Sequence, residues 1–366
     1  MLIYLTNSLI VSLHDSCYNN IRIAIKNIAW AVIESKHILR GDYEILCSMR
    51  DLFKSDVDIY PLLNKLCVEY STHTIPSDIH HYVEVVKEAP INREDGGSYI
   101  KQVTYEYFLD SLKVQPMNFI LEDEDDDIVY RLIINWYIKE KNINTNISYT
   151  IVHGGGVNIV DVAQRYIRDG IMAVCITDPD LRFPEQKIKN NSSCKQCARL
   201  SAIGGIYYHY YPNVHEIENL IPLNYIDLLD WHLKQNEMDK KAFDKLRNCV
   251  ASEKILQFFD YKEGITKHLI EEEIEGKDEY YGYAKLCCEQ NIELLEGKEF
   301  DEYYHKLGNK DNVYPRLRKR IMHDMKDLFA GTLPEPNLMN FQKEEWTKIA
   351  ELLVDLFCAR NKESML

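Results

Sequence analysis

The chain has 366 residues, 46% of them hydrophobic and 28% charged, with a formal net charge of −15. That length predicts about two or three domains, and the balance predicts a soluble, core-forming chain, excluding a disordered tail and a collagen-like repeat. It also argues against nonspecific wrapping of nucleic acid, which needs a broad cationic face. No window approaches the ~20 uninterrupted apolar residues of a membrane span. The apolar start MLIYLTNSLIVSL lacks the basic region and cleavage site of a signal peptide and reads as a buried strand over Leu2–Leu13. Ten cysteines, scattered through apolar or helical stretches with no export signal, predict reduced thiols in a cytoplasm.

Residues 1–116 read as an α/β domain of open role. After the first strand come helical patterns over Asn20–Leu39 and Ile59–Tyr70, a polar loop over Pro90–Gly97, and a further helical pattern over Tyr99–Leu112. Pro116 marks the boundary, because proline disfavours helix at and before its position. Residues 117–222 change character. Met117–Leu121 is an apolar run ending in six acids, Glu122 to Asp127, followed by a helical stretch over Ile128–Lys141. Ile147–His153 is a second strand closed by Gly154, Gly155 and Gly156, then a helical pattern over Val157–Arg168. Ile171–Thr177 is a third apolar run ending at Asp178-Pro179-Asp180, and Ile206–Tyr211 reads as a later strand. Strand and helix alternating at this spacing predict a parallel sheet with crossover helices. From Leu223 onward the pattern is helical and charged: Tyr225–Asn236, Lys240–Cys249, Lys254–Phe259, Glu279–Leu295, Tyr314–Leu328 and Lys343–Arg360 form a helical C-terminal lobe, residues 223–366.

Ligand sites in open parallel sheets form beyond the carboxyl ends of the strands. Three such ends carry Glu122, the glycine turn, and Asp178 with Asp180. Carboxylates gathered there suit Mg²⁺ or Mn²⁺, hard cations that take oxygen ligands alongside substrate phosphates. The bland alternative is that the acidic run starts a solvated helix, where the helix dipole favours carboxylates, and that Asp-Pro-Asp is an ordinary turn.

A Glu after the first strand, a glycine turn after the second and Asp-x-Asp after the third resemble the Toprim domain of topoisomerases, primases, rRNA maturases and OLD-type nucleases. The stretches are FILEDEDDD, IVHGGGVNIVDVA and AVCITDPDLRFPE. Glu122-Asp123 replaces the common Glu-Gly, although Glu122 and Asp126 keep the E-x-x-x-D spacing. His215-Glu216-Ile217-Glu218-Asn219 and Phe259-Asp260-Tyr261-Lys262-Glu263-Gly264 resemble later segments of phage-defence members. The resemblance implies a Toprim-like parallel sheet flanked by helices. It implies a Mg/Mn-dependent endonuclease with Glu122, Asp178, Asp180 and Lys262 catalytic, and with Glu122, Asp126, Asp178, Asp180, Glu216 and Glu218 as metal ligands. It further implies a cytoplasmic, toxic effector of bacterial antiviral defence, controlled by a separate ABC-type ATPase, since this chain has no ATP-binding motif; a homo-oligomer is compatible with it. Two readings compete: a Toprim enzyme of RNA maturation or primer synthesis, and a noncatalytic adaptor with a degenerate fold.

Arg182, Lys187, Lys189, Lys195 and Arg199 follow Asp180 directly and read either as a strip gripping nucleic-acid phosphates or as a solvated basic loop. Arg316, Arg318, Lys319 and Arg320 form a second basic cluster. Cys194-Lys195-Gln196-Cys197 has the spacing of half a zinc site, with Cys287-Cys288, His209 or His215 as completing ligands, or else is a pair of thiols in a surface loop. His153, before the triple glycine, reads either as a catalytic candidate or as a structural strand end. The triple glycine matches neither phosphate-binding glycine motif and reads as a tight turn.

Overall fold

A computed structural model describes residues 1–70, 79–95, 98–203, 205–229, 237–273, 275–317, 321–329 and 331–360. The first part of the chain contains β1 (Leu2–Leu5), α1 (Tyr18–Ile33), β2 (Ile38–Gly41), α2 (Tyr43–Leu52), α3 (Ile59–Val68), β3 (His81–Val86), β4 (Arg93–Asp95) and β5 (Ser98–Thr104). Its five strands lie in the order β2-β1-β3-β5-β4, parallel except for the edge hairpin β4/β5. The expected first strand is therefore short: after Leu5 the chain turns through a 3₁₀ segment at Asn7–Leu9. The helix expected over Tyr99–Leu112 is instead β5 followed by 3₁₀ turns, because β5 pairs with β3 along six registered positions. The expected Asn20–Leu39 helix stops at Ile33 and gives way to β2. Within the expected loop over Pro90–Gly97, Arg93–Asp95 forms β4, and residues 96–97 lie outside the described residues.

The middle part forms β6 (Met117–Leu121), α4 (Asp127–Lys141), β7 (Asn146–Ile147), β8 (Tyr149–His153), α5 (Ile159–Arg168), β9 (Ala173–Ile176), α6 (Ser193–Leu200) and β10 (Tyr207–Tyr210). Strands β10-β9-β6-β8 make a four-stranded, all-parallel sheet flanked by helices. The α/β class with such a sheet is as expected. The two inner strands read FIL and AVCI with almost no exposure, as burial on both faces requires.

The rest contains α7 (Leu223–Leu229), α8 (Glu237–Arg247), α9 (Ser252–Leu256), β11 (Ile265–Thr266), α10 (Lys267–Glu272), α11 (Lys277–Glu289), α12 (Phe300–Lys306), β12 (Asn312–Tyr314), α13 (Ile321–Phe329), α14 (Asn340–Phe357) and β13 (Cys358–Ala359). This part is helical as expected, with two additions. β11 pairs with β12, so Tyr314, the start of an expected helix, ends a strand, and β13 pairs with β7, so Cys358–Ala359 is strand at the end of the helix expected over Lys343–Arg360. The last stretch of the expected helix over Tyr225–Asn236 lies outside the described residues. No helix among the described residues is long and apolar enough to cross a membrane.

Helix α14 ties the two larger sheets together. Its buried Asp355 accepts the backbone N–H groups of His80 and His81, each at 2.9 Å, and its buried Glu345 accepts from the Tyr210 hydroxyl at 2.8 Å. Buried carboxylates are tolerated where donors such as these face them. Farther along, Gln342 donates to the carbonyls of Asn219 and Ile221, and the Trp346 indole donates to that of Leu220. The segment carrying Glu216 and Glu218 is thus clamped from outside the sheet.

Candidate functional site

Inner strands β6 and β9 are neighbours, so the loops after them meet. Glu122 leaves β6 and its Oε1 accepts the backbone N–H of Asp178 at 3.2 Å. The glycine turn after β8 braces this loop from the other side. Gly154 donates to the Leu121 carbonyl at 2.6 Å and Gly156 to that of Glu122 at 3.1 Å. A Cβ on Gly154 would stand 2.6 Å from the Leu121 carbonyl oxygen, so no larger residue fits there.

The acidic run divides by function. Asp123 caps a 3₁₀ turn by accepting from Asp125 N–H, and Asp126 reaches back to Asp123 N–H at 3.3 Å. Asp125 pairs with Lys326 at 2.5 Å. Asp127, buried, pairs with Arg131 at 2.6 Å and accepts from the Tyr149 hydroxyl at 2.7 Å. Helix-start carboxylates account for those residues; Glu122 and Asp126 turn to the cluster. Asp180 holds a left-handed backbone, φ 54°, a conformation that costs a non-glycine residue on the order of 1 kcal/mol and is commonest where the surroundings over-determine it. Here its N–H is held by the His215 carbonyl at 3.1 Å.

A second layer closes on the same place. Asn219 is the joint: its carboxamide accepts from Glu216 N–H at 3.0 Å and donates to the carbonyls of Leu256 and Phe259 at 2.7 and 2.8 Å. This brings the 259–264 loop against the 215–219 segment. Lys262 Nζ then lies 2.6 Å from Glu216 and 3.2 Å from Glu218. Gly264, φ 73°, lets the loop turn sharply: a Cβ there would strike Arg316 N and the Tyr314 carbonyl at 2.6 Å.

Electrostatics show how closely these groups share one space. Burial pushes the Glu122 carboxyl up to about 7; Asp180 and Glu216 add to the rise, while the Asp178 N–H and Lys262 oppose it. Burial and Glu218 push Asp126 up to about 8. Asp178 is raised far above the usual carboxylate range, by burial first and then by Glu216, Asp126, Glu122 and Glu218. Glu218 is raised by burial against the pull of Lys262, and its Oε2 is buried with no hydrogen-bond partner. Lys262 stays protonated well beyond the usual lysine range because Glu218 and Glu216 outweigh the cost of its burial. Tyr130, buried on α4, is raised by burial and then by Asp178, Asp126 and Glu122. The six carboxylates read as metal ligands thus lie near enough to act on one another's charge, with Lys262 opposing them. Such clustering of shifted groups is commonest at functional sites.

Two residues stand at this site in roles the sequence reading did not give them: His215, read there only as a completing zinc ligand, and Asp260, given no role. His215 is buried, its Nδ1–H donating to the Leu181 carbonyl (3.1 Å), with Nε2 at 3.3 Å from Asp260. The Asp260 hydrogen bond raises its pKa against the effect of burial. Asp260 is held down, against burial, by His215 and by the N–H groups of Glu263 and Lys262. His215, Glu216 and Asp260 place ligand atoms within 4.8 Å of one another, the trio among the described residues that does so. Glu122, Asp178 and Asp180 do not close to that spacing.

The basic strip is split. Arg182 and Lys189 both turn to buried Glu273, at 3.2 and 2.9 Å, beside a cavity of about 110 Å³ that Asp180 also lines. Lys187 and Arg199 are exposed and Lys195 partly so, and no carboxylate pairs with them among the described residues. Of the second basic cluster, Arg316 is exposed, and 318–320 lie outside the described residues. Cys194 and Cys197 are not in a surface loop. Ser192 caps α6 through Lys195 N–H, and the i, i+3 spacing turns both thiols into the core. Cys197 contacts Cys175 and Tyr207, whereas Cys287 and Cys288 are buried on α11, so no zinc set forms among the described residues. His209 is engaged with the Thr177 hydroxyl at 2.9 Å, and His153 is exposed at the end of β8.

No protein-family model, no curated protein and no solved structure matches this chain. The chemistry of the site is accordingly read from its own residues.

Proposed function

We infer that the acidic cluster is the divalent-cation site of a Toprim-type nuclease that hydrolyses DNA or RNA phosphodiesters. One observation supports the reading: carboxylates from the loops after β6 and β9 and from the 215–219 segment act on one another's charge, and one of them, Glu218, keeps a buried oxygen without a hydrogen-bond partner. That donor set fits Mg²⁺ or Mn²⁺, since hard cations favour carboxylate oxygen and relieve the crowding of negative charge. Glu122, Asp126, Asp178, Asp180, Glu216 and Glu218 would hold such an ion, which when bound lowers the pKa of water and offsets charge on phosphate oxygens. Glu122, whose Oε1 accepts the Asp178 N–H at 3.2 Å, would hold that ion beside Asp178. Lys262 offers positive charge to the phosphate, and Lys187, Lys195 and Arg199 hold the flanking strand.

The resemblance extends the proposal to a toxic effector of bacterial anti-phage defence controlled by a separate ABC-type ATPase, for which altered cleavage on co-expression is the check. The noncatalytic adaptor reading draws on a different observation, that Lys262 already neutralises Glu216 and Glu218. Incubation of the full chain with plasmid and with tRNA, in Mg²⁺ or Mn²⁺, separates the two. Cleavage lost in Asp178→Asn and Glu218→Gln supports the nuclease; equal cleavage by wild type and both variants, or no Mn²⁺ binding by calorimetry, refutes it.

A further inference from the structure

His215, Glu216 and Asp260 form a set of their own beside the carboxylate cluster, distinguished by how each side chain is tied. The backbone of His215 is pinned on both sides: its N–H donates to the Gln257 carbonyl and its carbonyl accepts from Asp180 N–H, each at 3.1 Å. Its buried ring donates Nδ1–H to the Leu181 carbonyl. With Nδ1 committed as donor, the Nε2 lone pair is what a neutral ring presents on its other side. Nε2 lies 3.3 Å from Asp260 Oδ2 and 3.9 Å from Glu216 Oε1, and it is buried without a well-aligned hydrogen bond among the described residues.

Two carboxylates offer the matching half. Asp260 spends Oδ1 on the N–H groups of Lys262 and Glu263, at 2.8 and 2.7 Å, which leaves Oδ2 toward His215. Glu216 spends Oε2 on Lys262 Nζ at 2.6 Å, which leaves Oε1 toward His215. Each of the three side chains thus has one polar atom held by a partner and a second aimed into a common space, and the three aimed atoms lie within 4.8 Å of one another. A buried lone pair facing two carboxylate oxygens needs a proton or a cation between them. An imidazole whose far N–H rests on a backbone carbonyl has the orientation that metal-binding histidines adopt. Ligand atoms about 2.1 Å from an ion stand about 3.0–3.4 Å apart. Both contacts of Nε2 are close to that spacing.

We propose that His215 Nε2, Glu216 Oε1 and Asp260 Oδ2 bind a divalent first-row transition metal ion of the Fe²⁺, Co²⁺ or Ni²⁺ class, its remaining positions open to water. Imidazole nitrogen selects such ions over Mg²⁺, which prefers oxygen throughout. The set contains no cysteine. It shares Glu216 with the carboxylate cluster and stands whether or not that cluster cleaves nucleic acid. In the metal-free chain a proton between His215 and Asp260 fills the gap, and binding of the ion releases it to solvent.

Co²⁺ titration of the full chain, stripped with chelator and kept in excess Mg²⁺, tests this by calorimetry and visible absorption. One equivalent should bind, with the ligand-field bands of nitrogen and oxygen ligation and no thiolate charge-transfer band. His215→Gln should weaken Co²⁺ binding at least about a hundredfold, since loss of a ligand exceeds the loss of an outer partner. Asp260→Asn keeps an oxygen for both loop N–H groups and turns an amide donor to His215, so it should fold yet bind Co²⁺ at least about tenfold more weakly; it carries the test where His215→Gln fails to fold. Asp178→Asn, outside the set, should keep the Co²⁺ spectrum. Co²⁺ binding without nucleic-acid cleavage therefore counts against the nuclease reading alone, and cleavage without Co²⁺ binding counts against this site alone. The proposal is overturned by absent Co²⁺ binding in excess Mg²⁺, by a thiolate band, or by undiminished affinity in Asp260→Asn.

Discussion

Replacing Lys262 with Met tests whether the carboxylates form one electrostatic unit. Lys262 lies 2.6 Å from Glu216 and 3.2 Å from Glu218, whose side chains are 18% and 5% exposed. Methionine keeps the length and apolar stem and removes the charge. Breaking a buried ion pair costs about 3–5 kcal/mol when the remaining charge has no other partner. Lys262 itself is 33% exposed, so solvent recovers part of that, and about 2–4 kcal/mol is expected at pH 8. At pH 5.5 the loss should fall to about 1 kcal/mol, because carboxyls with raised pKa values take up protons in place of the lost ammonium. For a chain this long the pH 8 loss corresponds to a Tm drop of about 3–6 °C. A divalent cation can take over the neutralising role, so Mn²⁺ should raise the Tm of Lys262→Met more than that of wild type. The assay is thermal unfolding at both pH values, with and without Mn²⁺. A Tm loss independent of pH, together with no extra Mn²⁺ stabilisation in the variant, would refute the idea that Lys262 balances the cluster.

Other expectations follow from the same geometry. Glu122 and Asp126, at about 7 and 8, titrate above the usual carboxylate range, so the metal-free fold binds more protons than the unfolded chain between about pH 4.5 and 8 and loses stability as pH rises across that window; His215, also raised, acts in the same direction. Mn²⁺ should therefore raise the Tm more at pH 8 than at pH 5.5, and a larger shift at pH 5.5 would contradict it. Asp126→Asn should leave metal-free stability at pH 8 unchanged or higher while weakening Mn²⁺ binding, whereas Asp127→Ala, which strips Arg131 and Tyr149 of their partner, should cost about 1–3 kcal/mol and leave Mn²⁺ affinity intact by calorimetry. Asn219→Ala removes the joint between the 215–219 segment and the 259–264 loop; about 2–4 kcal/mol of destabilisation in denaturant unfolding is expected, and a loss under about 0.5 kcal/mol would mean the loops are held otherwise.

What was legible in the sequence follows physical lines. β6 and β9 announce themselves because strands buried on both faces are continuous apolar runs, and the residues just past them are where a parallel sheet places ligands. β2 and β5 are hidden for the opposite reason. β2 is four residues long and begins five residues after α1 ends, so its apolar positions extend the helical period, and β5 mixes Lys101 and Gln102 into a strand whose state is decided by pairing with β3. Local pattern cannot announce a partner strand that lies far along the chain. Cys194 and Cys197 mislead similarly: their spacing suits a metal, but it equally suits one face of a short helix, and Ser192 supplies the cap that makes it a helix.

Within the acidic run the separation of roles has a geometric cause that composition does not carry. Asp123, Asp125 and Asp127 are spent on a cap, on Lys326 and on Arg131 with Tyr149, and the run needs them to start α4. Glu122 belongs to the strand end, and Asp126 lies one helical turn later, so these two alone face the loop after β9. The other half of the cluster comes from residues 215–262, carried in by Asn219 and pressed home by Gln342 and Trp346 of α14. A site assembled this way depends on a helix more than a hundred residues away, and that dependence makes an experiment. Gln342→Ala leaves two carbonyls, of Asn219 and Ile221, without donors and should cost about 1–3 kcal/mol. It should also weaken Mn²⁺ binding several-fold although Gln342 touches no carboxylate of the cluster, because Glu216 and Glu218 lose their fixed footing. Unchanged Mn²⁺ affinity in a destabilised Gln342→Ala protein would show that the cluster holds its own geometry without α14.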